Sequence, residues 1–87
     1  MNKCPACDSM LKSKPKEYNE NPDGEFVSGK LFNCEKHGEF VLNDWAIDAV
    51  NKDPSKKIKL NSLLPSDPSH LRIFYGEDLI CISFKKP

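Results

Sequence analysis

Three features of the sequence predict a small α+β domain: an N-terminal β-hairpin, one short helix and a C-terminal β-hairpin. The chain has 87 residues, enough for one small domain and too few for two. Two short Cys/His brackets, Cys4-Pro5-Ala6-Cys7 and Cys34-Glu35-Lys36-His37-Gly38, frame a stretch with the turn signal Asn21-Pro22-Asp23-Gly24 at its middle. Beyond them lie one short amphipathic run and two apolar runs joined around Gly76. A chain this short buries only roughly 60–65% of its unfolded surface, so any added staple contributes a large share of its stability.

The brackets supply that staple. Twenty-six residues separate Cys7 from Cys34, and a CxxC followed by a CxxH at hairpin distance is a spacing that zinc chemistry explains directly. Structural Zn²⁺ takes four ligands in a tetrahedron, and Cys4, Cys7, Cys34 and His37 make a Cys₃His set, one zinc per chain. A two-residue gap lets the chain curl until both side chains point inward, with backbone N–H groups donating to the thiolates. Gly38 suits the positive φ at which such a curl closes, and Asp8 tolerates the same region after the first bracket. The shorter reach within one tight curl favours Nδ1 of His37 as the ligating atom.

Other readings of the cysteines are weaker. A thioredoxin-like redox pair belongs at a strand-to-helix junction inside a βαβ unit, whereas this CxxC begins at the fourth residue. Disulfides suit secreted chains, and the first residues carry no apolar stretch of signal-peptide length. The longest apolar run, Leu79-Ile80-Cys81-Ile82, is far short of a membrane span. The expectation is a cytoplasmic protein with reduced thiols and no membrane association. Cys81 reads as a buried core residue in a strand, and His70 as a surface or helix-start residue.

The stretch Cys4 to Leu42 resembles a zinc ribbon of the rubredoxin-knuckle type. Cys4-Pro5-x-Cys7 is similar to its first knuckle, and Phe32-Asn33-Cys34-x-x-His37-Gly38-Glu39-Phe40 to its second. The resemblance covers about the first half of the chain and implies metal binding, with zinc structural. It implies no single function, because ribbons serve transcription, ribosomal, chaperone and defence proteins alike. The second half resembles no such family.

In chain order, Ser9 to Tyr18 and Glu25 to Asn33 read as the arms of the ribbon hairpin. Pro15 and lysines 12, 14 and 16 mark the first arm as an exposed edge. Glu39 to Leu42 reads as a short strand. Asn43 or Asp44 can cap a helix from Trp45 to about Asn51, which Asp53-Pro54 stops. Trp45 is expected to anchor the ribbon to the remainder. Ser55 to Lys59 reads as a solvated loop or strand edge, Leu60 to Leu64 as a helical turn or short strand, and Pro65 to Ser69 as a break. Leu71 to Tyr75 and Asp78 to Phe84 form the second hairpin, whose last strand is apolar on both faces and so expected to be central. The division is a ribbon over 1–42 and a helix with a hairpin over 43–87, packed together as one unit.

Charge narrows the function classes. Thirteen basic and thirteen acidic residues give a formal net charge of zero. Residues 1–37 hold six of each, and residues 38–87 hold seven of each. A chain that coats phosphate backbones by bulk electrostatics is excluded. Four good ligands close the zinc shell, whereas catalytic zinc keeps a position for water, so no enzyme is expected. His37-Gly38-Glu39 spells the His-x-Glu of zinc deaminases, but the CxxC lies upstream of it, and Cys34 would be a surplus ligand. The leading expectation is a protein-interaction adaptor or regulator with a protein partner. The alternative is a nucleic-acid-binding ribbon, using the lysine clusters at 12–16, 52–59 and 85–86 with Tyr18, Phe26 and Phe32 stacking on bases.

Overall fold

The computed structural model describes residues 3–21, 26–64 and 70–85. Pro22-Asp23-Gly24 of the expected turn and the expected break at 65–69 lie outside the described residues. The elements are β1 (Lys16–Glu20), β2 (Val27–Cys34), β3 (Gly38–Asn43), α1 (Asp44–Lys52), α2 (Pro54–Leu63), β4 (His70–Tyr75) and β5 (Ile80–Lys85). This is a small α+β fold, with a second helix in addition to the one expected.

The five strands form one sheet in sequence order. β1 pairs with β2, β2 with β3 and β4 with β5, all antiparallel, while β3 and β4 are parallel, with Val41 opposite Ile73. A parallel pair needs a long crossover, which α1 and α2 supply. The helices cover one sheet face. Phe32, Phe40, Leu42 and Phe74 form a core there with Ala46 and Val50 of α1, Leu60 of α2, and Leu64. Phe40 centres it, fully buried, stacked on Phe32 at 5.5 Å and edge-on to Phe74 at 6.5 Å. On the opposite face Tyr18, Val27, Val41 and Ile73 form a second cluster, flanked by Leu31, Leu71 and Tyr75.

Asn43 is the cap of α1. Its side-chain oxygen accepts from Ala46 N at 2.8 Å and from Gly76 N at 2.9 Å, so one carbonyl starts the helix and ties down the β4–β5 turn. Ala46 and Val50, four apart, carry the buried face. Asp53 then caps α2 through Ser55 N, with Pro54 in the first turn, where the lost N–H costs nothing. Asn43→Ala is expected to lower stability by about 1–2 kcal/mol by removing the one oxygen that accepts from both Ala46 N and Gly76 N, with Asn43→Asp retaining most of it. Thermal unfolding of the two variants against the parent checks this.

Several expectations are corrected. Ser55–Lys59 is helix rather than loop or strand edge, because Asp53 and Pro54 begin a new helix where they end the old one. Of the two readings of Leu60 to Leu64, the helical one holds over Leu60–Leu63. His70 opens a strand rather than a helix. The first arm is shorter than expected, since Met10 and Leu11 instead make two isolated bridges, Lys3 with Met10 and Leu11 with Cys34. β5 is an edge strand, not a central one. Cys81 is exposed because the sheet ends at β5 and leaves its helix-side residues uncovered. Trp45 is 74% exposed and anchors nothing, since Ala46 and Val50 take the inward face of α1. Among the described residues no helix is long and apolar enough to cross a membrane.

Candidate metal centre

Two tight turns carry the four predicted ligands. The first, residues 5–7, is closed by Cys4 N donating to Ser9 O at 2.8 Å and Asp8 N to Cys4 O at 3.0 Å. Asp8 sits at φ 60°, where its short polar side chain is tolerated, and Oδ2 accepts an ion pair from Lys57 of α2 at 2.5 Å. The second turn joins β2 to β3, pairing Cys34 with Gly38, and Gly38 closes it at φ 75°. A side chain there would be strained even though open space surrounds the position. Lys12 N donates to Asn33 O at 2.8 Å, and the Leu11–Cys34 bridge holds the two turns against each other.

Ligand atoms from Cys4, Cys7, Cys34 and His37 all lie within 4.8 Å of one another. Cys34 Sγ is 3.6 Å from Cys7 Sγ and 3.6 Å from Nδ1 of His37. With bonds of about 2.3 Å to sulfur and about 2.0 Å to nitrogen, a tetrahedral ion separates two sulfurs by about 3.8 Å and a sulfur from a nitrogen by about 3.5 Å. These two edges fit that polyhedron, and the sulfur–sulfur edge is far longer than a disulfide. In each turn an amide two residues on points at the first thiol: Ala6 N at 3.5 Å from Cys4 Sγ, and Lys36 N at 3.4 Å from Cys34 Sγ. Such donors stabilise thiolate rather than thiol.

The environment suits a cation. Cys4 and Cys34 are fully buried and belong to the same cluster as Phe40 and Leu60, so the site abuts the core. Burial pushes the Cys4 thiol up to about 12. A bound cation's charge reverses that preference, since a coordinating thiol is deprotonated outright. Burial also raises Cys7, but hydrogen bonds from the Ser9 side chain and amide, with the neighbouring thiols, more than offset it and leave Cys7 below the usual thiol value. Burial, then the charge of Lys36, lowers His37, which keeps its ring neutral and its nitrogen available.

A half-buried Cys₃His cluster, with two edges at tetrahedral length and amides directed at two of its thiols, is an arrangement that could hold a metal ion. No protein-family model, curated protein or solved structure matches the chain. The site therefore rests on its own geometry.

The other residues singled out in the sequence are elsewhere. Cys81, on the outermost strand, is not part of the ligand group. Of the three aromatics expected on the surface, Tyr18 and Phe32 are buried and only Phe26 is exposed. Within the 52–59 lysine cluster, Lys52 pairs with Asp48, Lys56 with Asp78 and Lys57 with Asp8, while Lys59 donates to the Asp78 carbonyl. Sequence reasoning missed Trp45 as a surface residue. Trp45 and Phe26, 74% and 68% exposed, line a groove of about 310 Å³ with Ser28, Asn43 and Asp44. The signal was present: at the first turn of a nine-residue helix whose inward positions were already filled by Ala46 and Val50, Trp45 had to point away.

Proposed function

We propose that the chain is a zinc-stapled adaptor that docks a protein partner, with zinc in a structural role. Three sulfurs and one nitrogen gathered within 4.8 Å are a donor set that suits Zn²⁺, and four protein donors leave no place for a catalytic water. Paired turns, each with an amide directed at its first thiol, support reading the N-terminal part as a zinc ribbon.

The observation that carries the docking role is the Trp45–Phe26 groove. Large aromatics flanked by polar groups such as Asp44 and Ser28, which hydrogen-bond each other at 3.3 Å, are the usual anchors of protein interfaces. The nucleic-acid alternative loses support on two counts: two of its three stacking residues are buried, and the 52–59 lysines are matched to acidic or carbonyl oxygens.

The chain has a single tryptophan, so its fluorescence reports on the groove directly. A pull-down from the native cell should recover a protein on the parent chain that is lost with Trp45→Ala. Titration with mixed DNA and RNA oligonucleotides should leave Trp45 emission unchanged. Quenching that weakens steeply between about 50 and 200 mM salt would establish phosphate contacts and overturn the adaptor reading.

A further inference from the structure

The two edges of the sheet differ in kind. β1 is Lys-Glu-Tyr-Asn-Glu, follows Pro15, and exposes four polar side chains. These are the devices that keep an edge from pairing. β5 is Ile-Cys-Ile-Ser-Phe-Lys, with its single charge at the last position. Ile80 is 61% exposed, Cys81 and Ser83 are exposed, and among the described residues no strand pairs with the outer side of β5. Its composition is that of a strand with neighbours on both sides, yet it has one.

From this asymmetry we infer that β5 is the dimerisation edge of the protein, pairing antiparallel with β5 of a second copy to make a continuous ten-stranded sheet. Charge selects that partner and that direction. Glu77 and Asp78 lie in the turn that enters β5, and Lys85 closes the strand. Antiparallel self-pairing sets the register position of Glu77 in each copy alongside that of Lys85 in the other, opposite charges in the sequence, twice by symmetry. Parallel pairing would set like against like. A twofold axis normal to the sheet keeps both helical layers on one side, and it pairs residues of the same face, with Cys81 opposite Cys81 or Ser83 of the other copy. The Trp45–Phe26 groove lies at α1 and the start of β2, so dimerisation presents two grooves to the proposed partner.

The test is sedimentation velocity of the zinc-loaded chain under reducing conditions, at about 100 µM, above the micromolar range of many transient interfaces. The expected mass is twice the 9.9 kDa of the chain. Cys81→Lys sets like charges across the axis at an exposed position and should halve the mass, with circular dichroism and metal content unchanged; Ser83→Lys reads the same contact if that variant misfolds. Asn19→Lys on β1 should leave the dimer intact. A monomeric parent chain would overturn the proposal and reserve the edge for another protein's strand. A dimer that survives both β5 variants, or is lost with Asn19→Lys, would also overturn it.

Discussion

Cys34→Ser is expected to lose the metal and unfold at least the N-terminal half of the chain. Cys34 is fully buried, lies 3.6 Å from both Cys7 Sγ and His37 Nδ1, and its backbone bridges to Leu11. It thus joins the two turns both through its place in the Cys₃His cluster and through the main chain. A serine hydroxyl keeps the shape but holds its proton far more tightly and is a poor zinc ligand. Structural zinc contributes apparent binding free energies of about 10–16 kcal/mol in small peptides, comparable with the whole stability of a small domain. Without it, polar turns that contribute only Cys4, Ala6, Leu11 and Cys34 to the core have too little burial to order them. Far-ultraviolet circular dichroism and amide exchange should both report the loss. Cys81→Ser, on the exposed edge, should bind metal normally and change stability by no more than about 0.5 kcal/mol. Unchanged amide protection in Cys34→Ser would show that the core suffices without the staple.

Gly29→Ala is the second large effect. Gly29 sits in β2 opposite Asn43, where β3 ends and turns into the cap of α1. The main chain passes so close that a Cβ on Gly29 would meet Leu42 O at 2.1 Å and Asn43 Cα at 2.6 Å. Both obstacles are backbone, so no rotamer change relieves the clash. Either β2 separates from β3 or the Asn43 cap shifts, and the cap also holds Gly76 N. Overpacking typically costs about 1–3 kcal/mol, and a rigid obstacle places this substitution at or above that ceiling. In a domain of this size that lowers the thermal midpoint by more than about 10 °C. Ser28→Ala next to it, on an exposed side chain, serves as the control and should stay within a few degrees.

The gathering of Cys4, Cys7, Cys34 and His37 was the most legible part of the sequence, because its information is short-range. Two brackets of four residues dictate their own turns, and Gly38 and Asp8 adopt the positive φ that the turns require. The helix after β3 was legible for a similar reason, with a cap at Asn43 and buried residues four apart at Ala46 and Val50. α2 was not, since Leu60 is its one buried residue and Ile58 is 72% exposed, leaving no apolar stripe to read. Its only signal was Asp53-Pro54-Ser55, which serves equally as the end of one helix and the start of the next. The order of strands was illegible in principle. Which strand becomes an edge depends on the parallel β3–β4 pairing, a contact between segments separated by both helices. For that reason β5 reads as central by composition while standing outermost.

Metal content decides the central claim. Elemental analysis of the protein purified without added metal or affinity tag should find one zinc per chain, with none retained by Cys34→Ser. Less than about half an equivalent of any metal in folded parent protein, or zinc that stays bound to the variant, would contradict a structural Cys₃His site.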